Sequence, residues 1–282
     1  MKNSLLGRLL IIGNLLVVNT WATQVINSDN NATTSKDSII NPDKKKNKTP
    51  RVAKNYVFPK YILPEPETMY LAFNKVKPNV PWEKYLTNNT NISYESNPQI
   101  AYNIGLQLSN SFLLFTRKKL DTNNIMMMKT LTRKLGVEEK IIRRISSIEE
   151  ALKKGKKGVV IQELTYMNDE IVKALSNNSR VDLSAVVRVG AWIGAIYSTT
   201  NLLHTDYNKK AASFLAQKDV IIALSKSLEN RESLVFDTIT QEVLRSLKEI
   251  EVIIGNKKEL TKTEIEKIYY IISRVVIAIE KA

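Results

Sequence analysis

The chain contains no cysteine. Disulfides, thiolate metal sites, cysteine nucleophiles, covalently attached c-type haem and a lipidated cysteine behind a leader are therefore excluded. Glycine and proline are scarce, at 9 and 8 of 282 residues. Five of the eight prolines fall between Pro59 and Pro81, and none follows Pro98. A β sandwich or barrel needs turn residues spread along its length, so this distribution predicts helices after Pro98. Histidine occurs once, at His204. One histidine without cysteine does not build a usual zinc site, and no Ser-His-Asp spacing makes it a triad base. No metal and no cofactor are expected. Acidic residues are the minority: 28 Asp plus Glu stand against 42 Lys plus Arg, a formal charge of +14. That excess favours anionic surroundings through long-range attraction.

What is present begins with an address. Residues 1–22, "MKNSLLGRLLIIGNLLVVNTWA", have Lys2 and Arg8, then the apolar run Leu9 to Val18, then small residues at Thr20 and Ala22. A basic start, an apolar stretch of about ten residues and small residues before the cut describe a secretory signal peptide, with cleavage after Ala22. The rival, a retained anchor, needs a span of roughly twenty apolar residues. The chain is thus expected to be exported, periplasmic or secreted. Residues 23–55 are rich in Asn, Ser, Thr, Asp and Lys, carry no apolar periodicity and read as a disordered basic linker. Residues 56–96 read as an extended strap: Tyr56 to Leu86 holds seven of the twenty aromatic residues among the clustered prolines, with room for a short helix from about Glu67 to Asn74. So many large rings must be buried somewhere, most simply along a groove of the body that follows.

Residues 97–282 show apolar residues recurring at three and four. The pattern predicts an all-α domain, a compact antiparallel bundle of about seven or eight helices. Asn97 is expected to cap the first helix with Pro98 at its first position. Ser146 and Glu149 have capping-box spacing inside the third helix, as do Thr261 and Glu264 before the last. A single helix is expected from about Lys209 to Leu228, and one marked by Leu234 through Ile254 and closed by Gly255.

The stretch "RVGAWIGAIYSTTNLLH", Arg188 to His204, carries one formal charge. An arginine inside a membrane span costs about 2.5–3.5 kcal/mol, so no membrane span is expected once the leader is removed. Gly190, Gly194 and Ser198 lie on one face and permit close approach of a second helix. The segment is expected to be the central rod of the bundle, with Gly190, Gly194, Trp192 and Arg188 as packing or interface residues. Arg188 then needs a carboxylate or a route to solvent. A helix pair enclosing Trp192, Tyr197 and His204 would offer a ligand pocket, although His204, before Asp206, also suits a surface position at a helix C-terminus.

Three further patterns carry chemistry. "KKGKKG" places Lys153, Lys154, Lys156 and Lys157 at a helix-ending turn, a possible anion contact without phosphate-loop spacing. "IMMMK" sets three flexible thioethers, Met126 to Met128, around more than half a helix, so at least one meets solvent or another surface. Glu95-Ser96 followed by Gly105-Leu106 resembles the opening of the active-site helix of lytic transglycosylases, in which one glutamic acid protonates a glycosidic oxygen. The spacing departs from that pattern and Pro98 interrupts it. These observations lead to an exported helical protein with a structural or protein-interaction role in the cell envelope, and not an enzyme. Its expected partner is another envelope protein or an anionic envelope polymer, or a second copy in a homo-oligomer, and not nucleic acid. The alternatives are a carrier of a small apolar or anionic ligand between helices, and a glycan-cleaving enzyme using Glu95.

Overall fold

The structure is a computed structural model that describes residues 66–87, 93–94, 96–116, 121–178, 180–229 and 231–281. The leader, the linker, the first ten residues of the strap and Glu95 lie outside the described residues. Those that are described belong to one unit, and its secondary structure is entirely helical.

The strap is less extended than its prolines suggest. Helix α1 spans Pro66–Val76, with proline at the first position where its missing N–H is not needed. A single 3-10 turn, Trp82–Lys84, follows. Tyr70, Phe73 and Trp82 are fully buried and meet edge to face, Trp82 lying 6.0 Å from Tyr70 and 5.5 Å from Phe73. The rings are thereby removed from water against the bundle.

Among the described residues, eight helices of twelve residues or more run from Asn97 onward. They are α2 (Asn97–Thr116), α3 (Thr122–Lys134), α4 (Glu138–Lys153), α5 (Lys157–Asn177), α6 (Val181–Thr205), α8 (Lys218–Glu229), α9 (Thr238–Ile254) and α10 (Lys262–Glu280). The four-residue α7 (Lys209–Ala212) precedes α8. Consecutive helices pack against one another, as short connections require, and the result is an antiparallel bundle.

Several expected details differ. Ser96, not Asn97, caps α2: its Oγ accepts the Gln99 N–H at 3.2 Å. Ser146 caps nothing, because α4 runs through it unbroken and its hydroxyl donates back to the Ile142 carbonyl. The single helix expected from Lys209 to Leu228 is broken into α7, a 3-10 turn at Ser213–Leu215, and α8. The break presents Ala211, Ala212 and Leu215 to the core and turns Val220, Ile221 and Leu224 toward α6 and α9. Leu234 lies in a 3-10 turn ahead of α9, which starts behind the Asp237 cap. The Thr261–Glu264 capping box forms reciprocally.

Helix α6 is the central rod. It is the one described helix long and apolar enough to cross a membrane, yet 78% of its most apolar window is buried inside the protein. Its main partner is α2, and glycine sets how closely the two approach. A Cβ on Gly190 would stand 2.4 Å from the Tyr102 carbonyl oxygen; one on Gly105 would stand 2.2 Å from that of Val187. Backbone lies on backbone here, and only glycine fits.

The other side of α2 is polar although buried. Gln99 and Asn103 both donate to the Ile279 carbonyl, at 3.0 and 3.1 Å, and Gln99 also donates to that of Lys281. These amides satisfy the last carbonyls of α10, groups that an α-helix leaves without internal partners.

Hydrogen bonds identify the two ends of the bundle. Lys134 donates to the Tyr94 carbonyl, Arg180 to the Leu135 carbonyl, and Arg231 pairs with Asp182. One end thus gathers the start of α2 and the turns α3–α4, α5–α6 and α8–α9. Lys77 pairs with Asp206, Lys209 with Glu259, and Tyr207 donates to the Leu260 carbonyl. By alternation the opposite end holds the turns α4–α5, α6–α7 and α9–α10. With 25 residues in α6, the ends stand about 35 Å apart.

Candidate functional site

The residues singled out in the sequence do not converge on one place. Gly190 and Gly194 lie against α2, the Cβ of a substituted Gly194 falling 2.8 Å from Ser109. Arg188 takes the route to solvent and is exposed. Trp192 is buried in the core, about 140° round the helix from Tyr197 at 100° per residue. Tyr197 and His204 share a face, and there the structure does assemble a cluster. His204 stacks on Tyr269 at 4.7 Å and 15°, Tyr197 approaches the same ring at 6.2 Å, and Tyr270 completes the group. The half-buried His204 is therefore not the surface residue its place before Asp206 suggested, and its Nδ1 is buried without a hydrogen-bond partner.

The same α6–α10 seam carries two acids that burial raises. Burial pushes the Tyr197 hydroxyl up, helped by the negative charge available on Tyr269 and Glu280. At the far end of α10, burial pushes the Glu280 carboxyl up to about 7, against the pull of a hydrogen bond with Thr87. Among the described residues no three His, Asp or Glu side chains stand together as a metal site.

Lys153, Lys154 and Lys156 are exposed on the α4–α5 turn, and Lys157 opens α5. Lys154 is engaged by Glu150. With Lys210 and Lys258, exposed on the other two turns at this end, they make it lysine-rich. Val159 and Ile161 open to solvent from the start of α5, on either side of the buried Val160; Met126, 62% exposed while Met127 and Met128 are buried, lies on α3 away from this end.

The opposite end presents a feature that the periodicity does not reveal. Between α8 and α9, Val235 is 47% exposed and Phe236 is 93% exposed. The turn that carries them is braced on every side. Leu234 anchors it in the core. Arg231, itself buried, pairs with Asp182 at 2.7 Å and donates to the Ser227 carbonyl. Ser233 donates to the same Asp182. Asp237 accepts the Thr240 N–H at 2.7 Å as cap of α9, and the Gln241 amide donates to the Val235 carbonyl at 3.0 Å. The phenyl ring is thus held out in water by a rigid support rather than by a loose loop.

The stretch from Glu229 to Glu242 holds four acids, Glu229, Glu232, Asp237 and Glu242, and one base, Arg231, paired with Asp182. Glu229 pairs with Lys248, and Glu242 with Arg245 and Arg274, so Glu232 and Asp237 are the acids left to border the ring. A large apolar side chain on a preorganised support with a polar rim is the anatomy of a protein-docking hot spot. Its signal in the sequence is weak: Val235 and Phe236 fall out of phase with the apolar series of α9, directly before an Asp-x-x-Thr cap.

Comparison of the chain with protein-family models, with curated proteins and with solved structures finds no match; its own residues have to supply the functional reading.

Proposed function

We propose that this chain is an exported helical protein with a structural or protein-interaction role in the cell envelope, and that the Val235–Phe236 turn is the element by which it docks. The leader at residues 1–22 supports the export half of the reading. The docking half rests on one observation: a phenylalanine 93% exposed on a turn whose polar groups are engaged and whose backbone is pinned at both sides. An isolated apolar residue on a surface is ordinary; one that an ion pair, a cap and a buried leucine combine to display is a different matter, because pre-ordering removes part of the entropic cost of binding. Glu232 and Asp237 beside the ring favour a protein surface with basic edges over an anionic lipid surface.

The test replaces Phe236 with a photo-activatable phenylalanine analogue in the native envelope. Irradiation is expected to give discrete protein adducts that disappear when Asp182→Ala loosens the turn. Adducts to lipid alone, or an unchanged adduct pattern when the probe is moved to exposed Val252, would overturn the docking role. Amino-terminal sequencing of the mature chain checks export, with Thr23 as the expected first residue.

The carrier alternative has its own support in the Tyr197–His204–Tyr269 cluster, whose buried Nδ1 lacks a partner. Mass spectrometry of organic extracts from the purified protein decides it: a stoichiometric small molecule lost in His204→Phe favours the carrier, and a clean extract removes it.

A further inference from the structure

The α6–α10 seam that carries the Tyr197–His204–Tyr269 cluster continues beyond it as a polar row. We propose that this row is a binding site for a neutral saccharide chain, separate from the Val235–Phe236 turn and independent of what docks there.

Helical spacing builds the row. Tyr197, Asn201 and His204 fall within one narrow stripe of α6, and Tyr269, Ser273 and Glu280 within one stripe of α10. The two helices pack antiparallel, because the Tyr207–Leu260 and Lys209–Glu259 contacts join the end of α6 to the start of α10. All six residues are half-buried, whereas Thr200, Leu203, Ile272 and Val276 beside them are buried. The six thus make a strip open to water over a largely apolar floor, about 16 Å long from Tyr269 to Glu280. The segment ahead of α2 borders it: the Asn201 amide donates to the Tyr85 carbonyl at 3.5 Å, and the Thr87 hydroxyl bonds the Glu280 carboxyl.

The chemistry of the row selects its ligand. His204 Nδ1 and Ser273 Oγ are both buried without a hydrogen-bond partner. Folded proteins pair nearly all such atoms, so two in one seam point to a missing partner. Both side chains are half-exposed, and rotation about their Cα–Cβ bonds offers either atom to a ligand. An imidazole nitrogen accepts or donates according to tautomer, and a hydroxyl does both, as do the Asn201 amide and the tyrosine hydroxyls. Burial holds the Glu280 carboxyl protonated up to about 7, so below that pH it also donates and accepts. An anion needs cations, and in a chain with 42 Lys plus Arg the row has none. Arg274, next to Ser273, turns instead to Glu242 and Glu249. A small organic cation needs rings and a carboxylate together, yet Glu280 stands at the other end of the row from the stacked His204 and Tyr269. A sugar hydroxyl donates and accepts at once, and the C–H face of a sugar ring lies well against aromatic rings such as Tyr197, Tyr269 and the exposed Tyr270. The length of the row suits a short run of sugars rather than one.

His204 is the one histidine in the chain, so its Cε1–H resonance reports on the row in an otherwise unlabelled NMR experiment. The untagged mature chain is titrated below pH 7 with maltotetraose, cellotetraose and tetra-N-acetylchitotetraose, and separately with choline and with inorganic phosphate. At least one tetrasaccharide is expected to shift the His204 resonance saturably, at lower concentration than its monosaccharide, while choline and phosphate leave it in place. Ser273→Ala is expected to weaken that binding about ten-fold, the loss of one hydrogen bond. It should leave Tm at or above the wild-type value, because it deletes a hydroxyl that nothing in the fold pairs. Phe236→Asp is expected to bind as the wild type does, which separates failure of this site from failure of the docking turn. A resonance that no tetrasaccharide moves, that follows choline or phosphate instead, or that titrates identically in Ser273→Ala would overturn the proposal.

Discussion

Substituting alanine for Gly105 is the most severe small change the fold admits. The added Cβ would lie 2.2 Å from the Val187 carbonyl oxygen, 2.5 Å from the Ala191 nitrogen and 2.7 Å from the Gly190 carbonyl carbon. All three are backbone atoms of α6, so no rotamer change relieves the clash. Carbon contacts are comfortable at about 3.5 Å, so α2 and α6 must separate by roughly 1 Å. A gap of 0.5–1 Å forfeits about a quarter to a half of each pairwise attraction along the seam, and this is the principal contact of the central rod. Overpacking a core costs about 1–3 kcal/mol and occasionally more. The rigid obstacle places Gly105→Ala at or above the upper figure, even after the gain of about 1 kcal/mol for alanine over glycine in a helix. A net loss of about 3 kcal/mol is expected. Urea denaturation followed by circular dichroism reads it as a midpoint lowered by about 1–1.5 M for a slope of about 2–3 kcal/mol/M. Gly194→Ala meets the Ser109 side chain instead and is expected to lose about half as much. Gly158→Ala meets nothing within 4 Å and serves as the control. A Gly105→Ala midpoint within experimental error of Gly158→Ala would refute the close backbone approach.

Other perturbations address separate parts of the molecule. Glu280 titrates near 7 in the fold because of burial, above the ordinary carboxylate value of about 4.3. The native state thus holds the extra proton between those values, and stability falls as pH rises from about 4.5 to 7. With the carboxyl partly in water, the discounted effect is on the order of 1–2 kcal/mol; Glu280→Gln is expected to flatten the Tm profile over this range and raise Tm at pH 8, and an unchanged slope would count against the burial. Arg231→Ala removes the cation paired with Asp182, leaving only the Ser233 hydroxyl on that carboxylate, and is expected to cost about 2–3 kcal/mol, with faster amide exchange at residues 232–237 as the local sign. Thr261→Ala removes one half of the capping box of α10 and is expected to cost about 1 kcal/mol by thermal denaturation.

Much of the fold is written in local patterns. Apolar spacing places the eight long helices after Asn97, and the Thr261–Glu264 spacing alone locates the start of α10. Cap patterns are less decisive where a hydroxyl has two choices. Ser146 stands mid-helix, where the Ile142 carbonyl is within reach, so its spacing to Glu149 means nothing. The break before α8 has no glycine or proline to announce it; it follows from the need of Ala211 and Leu215 to face one set of neighbours and Val220 and Leu224 another. The aromatic cluster was half legible, since Tyr197 and His204 share a helical face, while Tyr269 and Tyr270 arrive from a helix about seventy residues away. Phe236 was not legible, because whether an apolar residue is displayed or buried depends on the orientation of its turn, which Asp182, fifty-four positions earlier, helps to set.

The amides of α2 that hold the end of α10 also set a clock. Gln99 and the Ile279 carbonyl it binds are 180 residues apart in the chain. At a synthesis rate of about 5–20 residues per second, the first helix waits roughly 10–40 s for the last. Throughout that interval Gln99 and Asn103 lack the carbonyls they will hold, on a helix whose remaining surface is largely apolar. A newborn chain in this condition is expected to lean on holdase chaperones, and slowing translation late in the message should lengthen that dependence.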